Sequence, residues 1–576
     1  MRLRRIVVAA LAACALVVPA RVPAAESFAA LVTQYVNENE RENPLFASRI
    51  GIYAYDDFLP DYSAAGRERH RAWLGAWRTR LAASVQRGEG LGVAADRAAL
   101  IDAIDADVYE DHMLTPTASN PGLYVGVVAQ GIFGPLNRTD ESVDVRMTHI
   151  ARRLALVPGL VAAAEENLQH PAHVATDLAI SQNRGAIALY ENKILPAAAA
   201  ASPDVRAHVE ATLPAAIAAL KSFQTFLAGP LLARADGPTR VGAPVFDTLL
   251  RLRGGTSTPR AELVARARAN MARAQHEMSA IARALYAKSA DGGFRSSKAM
   301  NDDVVTRAVL DDLARNHPSA AGVLELARTD VAKIEDFLRT SGVVALPTPE
   351  TLVVRETPAF QAGVAGASMS SAGPFAPLNS GYYNVDAIPA NWDAPRVESY
   401  LREYNDFEMQ ILSIHEAVPG HYVQLRYANE APSLVRKVFG NGAFIEGWAC
   451  YTEGMMLDAG YGANDPKLRL FQLKWRLREY ANAIIDAEYH TGGLTHDAMM
   501  SLLVDGAYQE PAEAEGKWHR LELSHDQLST YFIGLDAIET ARASAHLPVP
   551  EFNRRLLRMG SVEPRFIEPL LGVAKS

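Results

Sequence analysis

Cysteine is almost absent: the 576-residue chain carries two, Cys14 and Cys450. No disulfide framework can hold it together, and if the N-terminal segment is removed, a single thiol remains and no intrachain bridge is possible. Beyond the N-terminus, no apolar run reaches the roughly 18 residues of a membrane span. A basic stripe is also missing: the formal net charge is −9 with both signs dispersed, which argues against a nucleic-acid partner. No internal repeat is evident. What is present is an alanine-rich globular composition, with enough length to bury a large core and form two or more lobes.

The N-terminus reads as an export signal. Arg2, Arg4 and Arg5 precede an apolar stretch from Ile6 to Val18, and Val22-Pro23-Ala24-Ala25 offers small residues for cleavage. Residues 1–25 are therefore expected to be removed, which implies a periplasmic or secreted protein with no membrane span in the mature chain. Leu11-Ala12-Ala13-Cys14 supports a competing reading as a lipoprotein box, with lipid on Cys14.

Most of the remainder has helical periodicity, as in Arg67 to Val85, where Trp73, Leu74, Trp77 and Leu81 form one stripe. Phe46 to Tyr53 reads as turn material, Pro158-Gly159 and Pro203-Asp204 as helix breaks, and residues 238–255 as a lapse in the pattern. Thr258-Pro259 opens a long helix expected to reach about Ala290. Thr351 to Thr357 and Gly381 to Ala387 change to a strand-like period, joined through a Ser/Gly/Pro loop at Ser370 to Ser380. The expectation is a single mainly α domain over 26–576, with an N-terminal helical lobe (26–255) and a catalytic lobe (256–576). The small sheet could bind an extended peptide by strand addition, with Tyr383 among the residues at hand. A long helix from Lys467 to about His490 follows, then helical sequence from Glu513 to Thr540 as the last substantial region.

The chemistry concentrates in His415-Glu416-Ala417-Val418-Pro419-Gly420-His421 and in Glu446-Gly447-Trp448-Ala449. Two histidines six apart lie roughly 120° apart around a regular helix, too far apart to share an ion. Pro419 must break that helix, and Gly420 offers a positive φ for a sharp redirection, so the Pro-Gly pair can bring His421 back. The alternative is a helix end followed by an exposed histidine. Glu446, within an apolar and aromatic stretch, needs a partner, and a metal would supply one. Glu453 lies two turns on, on the same face, and could either hold a ligand histidine or form an ordinary salt bridge. Cys450 reads as a small buried residue or, alternatively, a thiolate ligand.

With three ligands, His415, His421 and Glu446, one position of a Zn2+ ion, one per chain, would stay open for water, and Glu416 would serve as general base. The same donors would admit manganese or cobalt. Tyr531, His490 and His525 are candidate donors to an oxyanion. Arg520, and after it Arg476 or Arg478, could pair with a substrate carboxylate.

These residues carry a resemblance. The H-E-A-V-P-G-H string with Gln424 after it, E-G-W-A at Glu446, the Asp486 to His490 segment, and Gln527 with Tyr531 resemble the bacterial domain-of-unknown-function 885 family. The likeness spans nearly the whole mature chain, including Gly51 and Asp61-Tyr62-Ser63. That family looks like a distant relative of the helical zinc peptidases that include angiotensin-converting enzyme, thimet oligopeptidase and carboxypeptidase Taq. The resemblance implies a large helical zinc-peptidase-like fold with two lobes around a cleft, His415, His421 and Glu446 as zinc ligands, and Glu416 as base. This chain departs from the family at His525-Asp526-Gln527, at Asn482 and at Asp486-Ala487-Glu488-Tyr489-His490, all on the substrate side. The expected activity is zinc-dependent hydrolysis of short peptides. The alternatives are an inactive metal-containing peptide-binding protein and a hydrolase of a non-peptide amide or ester.

Overall fold

Short polar caps start many of the helices. Ser63 Oγ accepts from the Gly66 N–H at 3.1 Å and opens helix Ala64–Ala83, whose Leu74, Trp77 and Leu81 are buried at the expected spacing. The structure is a computed structural model that describes residues 26–288, 300–358, 366–377 and 380–572. The expected signal peptide and Cys14 lie outside the described residues. The chain is mainly helical with one small sheet.

Three apolar clusters organise the helices. One is the interior of a helical layer made by Pro121–Asn137, Val143–Asn167, His173–Ala198 and Pro203–Phe226. A second joins the first helices to Val435 and Val438. The largest runs from Phe246 to Ile567 and surrounds the helices that bear the H-E-A-V-P-G-H string. The segment Pro203–Arg234 has the length and hydropathy of a membrane span, yet its Val209, Leu213, Leu220 and Phe223 are buried in the helical layer.

Several local expectations are corrected. Helix Val143–Asn167 runs through Pro158, because Leu154, Val157, Leu160 and Val161 on either side are buried in one stripe and outweigh a lost backbone bond. Residues 44–50 form a helix, capped by Asn43 Oδ1 on the Phe46 N–H at 3.2 Å. A helix, Ala243–Gly254, occupies the supposed lapse and ends at Gly255, whose φ is +58°. The following helix spans Arg260–Tyr286. The late helical region divides into Pro511–Leu523 and Ser529–Ala545, and a further helix, Val549–Arg558, follows it.

The sheet comprises β1 (Leu352–Glu356), β2 (Ala367–Ser371) and β3 (Gly381–Val385), in the order β1-β3-β2, with β1 parallel and β2 antiparallel to β3. Strand β2 enters the stretch expected to be loop; its Ala-Ser-Met-Ser-Ser sequence has weak strand propensity, and pairing with β3 overrides it. β3 is central, so Tyr383 is not at an edge. Its side chain is fully buried with its hydroxyl 3.4 Å from Ser413 Oγ, where it supports the His415 helix and is closed to substrate. The two edges are those of β1 and β2. Asp386 N–H donates to Gly366 O and Ala372 N–H to Ser380 O, so the even-numbered residues face β3. Ala367, Met369 and Ser371 therefore turn their backbone groups outward.

Candidate metal centre

Helix Glu408–Glu416 carries His415 and Glu416 and stops at Ala417, whose φ of −97° and ψ of −95° leave the helical region. The Val418–Pro419 peptide is cis, and a new helix, His421–Asn429, begins with the second histidine. Gly420 has φ −68° and ψ −126°, so the expected positive φ is not what it supplies. Glycine is required there by proximity: a Cβ would lie 1.8 Å from His415 O. The Gly420 N–H donates to Ile414 O at 3.0 Å, folding the bulge tightly over the helix end. From helix Gly442–Asp458, Trp448 Nε1–H donates to Pro419 O at 2.9 Å and ties the E-G-W-A string to the bulge.

The redirection brings three donors together. His415 Nε2 lies 3.6 Å and His421 Nε2 3.4 Å from the same Glu446 oxygen, Oε2. The two imidazoles meet edge to face, with centroids 4.8 Å apart at 89°. Tetrahedral zinc with bonds of about 2.0–2.2 Å needs ligand atoms about 3.3–3.5 Å apart, close to these spacings. Among the described residues, Glu446 Oε2 and His421 Nδ1 have no hydrogen-bond partner. Behind the site, His415 Nδ1 sits 2.7 Å from Glu453 Oε1. Where Glu453 accepts from His415 Nδ1–H, the His415 Nε2 lone pair faces a carboxylate oxygen, and a cation between them would satisfy both. Burial acts to raise the Glu446 carboxyl, but the His421 and His415 imidazoles outweigh it and hold it well below the usual range. The donor set fits a divalent ion.

A buried charge network backs this triad. Burial pushes the Glu453 carboxyl up to about 8, with Arg476 opposing. Arg476 also lies 3.4 Å from Glu479, donates to Cys450 O at 3.1 Å and reaches Glu539 at 3.3 Å. Cys450 is fully buried, and burial raises its thiol well above the usual value. His415, Cys450, Glu453 and Glu479 also form a compact potential metal-binding group. Of the two groups, the His415–His421–Glu446 triad fits an ion better, because Arg476 already supplies a cation to this one and Glu453 is engaged with His415.

The opposite wall comes from the late helices. Gly447 and Gly534 let helices Gly442–Asp458 and Ser529–Ala545 cross in contact; a Cβ on Gly534 would lie 1.7 Å from Ala443 O. Asp486 caps the second of these, accepting from Ser529 N–H at 2.9 Å and Ser529 Oγ–H at 2.8 Å. Tyr531 is thereby laid over His415, ring centroids 6.2 Å apart. Arg520 Nη2 donates to Gln527 Oε1 at 2.6 Å and to Tyr531 Oη at 3.1 Å, so three candidate residues form one unit. Burial keeps the Tyr531 phenol above its usual value, against the Arg520 charge, and so keeps it a proton donor. Together with His415 and Glu416, Arg520 and Tyr531 line a cavity of about 60 Å³.

His490 and His525 do not line this cavity. His490 is buried, stacked on Phe246 at 5.7 Å, with Nε2 2.9 Å from Ser524 O. His525 pairs with Asp526 at 2.8 Å. Both serve the seam between helix Ala243–Gly254 and the late helices, where a lone histidine's ring is a packing element. Arg476 and Arg478 are committed to Glu479 and Glu513. Two residues at the site went unread in the sequence: Glu479, an acid in the apolar face of Pro466–Thr491, and Lys517, one turn before Arg520 on the same face. The i,i+3 spacing of Lys517 and Arg520 was the available signal.

Comparison with known proteins finds solved structures similar to the whole chain. A putative lipoprotein of unknown function from Shewanella oneidensis superposes with a TM-score of 0.79 at 29% identity, covering 95% of this chain and 100% of that one. A putative lipoprotein from Colwellia psychrerythraea gives a TM-score of 0.76 at 16% identity, covering 95% and 98%, and shares the fold. No curated protein matches. The model of the family described as "Bacterial protein of unknown function (DUF885)" matches residues 44–570, and the chain belongs to that family.

Proposed function

We propose that this protein is a zinc-dependent hydrolase of peptide bonds acting on short peptides. The observation that carries the reading is the convergence of His415 Nε2, His421 Nε2 and Glu446 Oε2, with Glu416 beside them and outside the donor triad. A zinc ion held there would lower the pKa of a water and polarise the scissile carbonyl. Glu416 takes the proton of the attacking water and delivers it to the leaving amine. Tyr531, steadied by Arg520, donates to the oxygen that gains charge. The outward backbone groups of Ala367, Met369 and Ser371 give an extended peptide a strand to pair with, and Ala367 itself lines the cavity. In this reading the fold is zinc-peptidase-like, with two lobes around a cleft. The lipoprotein descriptions of the two similar structures, together with the signal-like N-terminus, support work in the cell envelope.

The test is elemental analysis of the purified protein followed by a peptide panel. About one zinc per chain is expected in the wild type and almost none in His421→Ala. Glu416→Gln should keep its zinc and lose at least about 100-fold in kcat, the lower range for a general base. A wild type that takes up no metal when supplied with zinc would overturn the reading.

A further inference from the structure

The cavity beside Glu416 has an excess of positive charge on one wall. Lys517 and Arg520 project from the same face of helix Pro511–Leu523, and Arg478 reaches in from Pro466–Thr491. Two carboxylates answer these three cations, and both are already engaged: Glu403 lies 3.7 Å from Arg478 and is shared with Lys474 at 2.9 Å, while Glu513 takes a hydrogen bond from Arg478 on one oxygen and from Tyr404 Oη on the other at 3.3 Å. Lys517 Nζ is 3.9 Å from Glu513 Oε1 and makes no hydrogen bond among the described residues, although its side chain is only 2% exposed. A buried ammonium without a hydrogen-bonding partner is costly, and two neighbouring guanidinium groups make it more so. Burial, and then the Arg478 charge, hold the Lys517 pKa well below its usual value. What this wall lacks is an anion within hydrogen-bonding reach of Lys517, and the cavity is where one would enter.

We propose that Lys517, with Arg520 beside it, receives the free C-terminal carboxylate of the substrate, so that the enzyme cuts close to peptide C-termini. The inference rests on the hydrolase reading and narrows its substrate class to peptides with an unblocked C-terminus. Placement supports it: the same small cavity holds Glu416 and Tyr531, which leaves room for little peptide between the scissile bond and the cationic wall. The other side of the scissile bond would run along the β2 edge, from Ala367 toward Ser371. Arg520 is partly spent on Tyr531 and Gln527 and Arg478 on Glu513, which leaves Lys517 Nζ, with Arg478 Nη1 beside it, without a hydrogen-bond partner among the described residues.

The test is a binding measurement independent of turnover. Zinc-loaded Glu416→Gln protein is titrated by calorimetry with N-acetyl-Ala-Ala-Ala as the free acid and as the C-terminal amide. The acid is expected to bind at least 10-fold more tightly, and Lys517→Met in the same background to bring the two peptides within about twofold of each other. Equal affinity for acid and amide, or no binding of the acid at millimolar concentration, overturns the proposal. The comparison of peptides on Lys517-containing protein decides it even if the lysine variant fails to fold. Hydrolysis by the wild type is scored separately: absence of cleavage would count against the hydrolase reading, while the acid-over-amide preference would still report the carboxylate site.

Discussion

His415 presents its ring to the donor cluster because Glu453 holds the far nitrogen at 2.7 Å. The pairing orients the ring, so Glu453 would act on a bound ion through His415. Glu453→Gln keeps a carbonyl acceptor but removes the ionisable carboxyl, and zinc affinity is expected to fall about 10- to 100-fold, as for other residues supporting a metal-bound histidine. Competition with a chromophoric chelator measures this; an unchanged dissociation constant would reduce Glu453 to a packing residue. At this scale, residues with scarce chemistry in apolar surroundings were legible: His415, Glu416, His421, Glu446 and Glu453 all fall in one place. Histidine identity alone was a poorer guide. His490 and His525 sit in a seam, and nothing in their immediate neighbours distinguishes a stacked ring from a proton donor.

Periodicity identified the longer helices, such as Ala64–Ala83 and Pro466–Thr491, because each buries a stripe that recurs every three or four residues. Breaks were over-read: Pro158 sits inside one helix, and Phe46 to Ile50, read as turn material, lie in another, with their apolar residues buried in both cases. Strand β2 was invisible because its small polar residues carry no strand pattern, and only β3 defines it. The helix crossing at Gly447 and Gly534 was equally hidden, since two glycines far apart in sequence announce no contact. That crossing carries Tyr531 to the site. Gly534→Ala is expected to destabilise the protein by about 1–3 kcal/mol through overpacking against backbone. It should also lower kcat more than zinc content, because Tyr531 moves while the ligands stay. Thermal melts, zinc analysis and kinetics on one preparation test the split; zinc loss in parallel with activity would mean that the crossing positions the ligands as well.

The response of the whole molecule to acid depends on groups folded in unusual protonation states. Burial, with the His525 charge adding, depresses His490 to about 4. The unfolded chain, with an ordinary histidine near 6.5, therefore binds a proton that the native state refuses. The stability of neutral His490 is fully present above about pH 6.5 and is lost as pH falls toward 4, at most about 3 kcal/mol from the size of the shift. Asp486, which burial raises to about 7, works in the opposite direction: it binds a proton in the native state and stabilises as pH falls from 7. The two face each other at 3.6 Å, with His525 and Arg240 as the other charges acting on His490. Because these trends oppose, the total acid profile cannot isolate His490, whereas a difference can. His490→Phe retains a ring to stack on Phe246 and removes the titration, so its melting temperature is expected to fall less between pH 6.5 and 4.5 than that of the wild type, even if it starts lower for want of the bond to Ser524 O. Parallel curves for the two proteins would show that His490 is already charged in the native state and that the seam it fills is wetter than its burial implies.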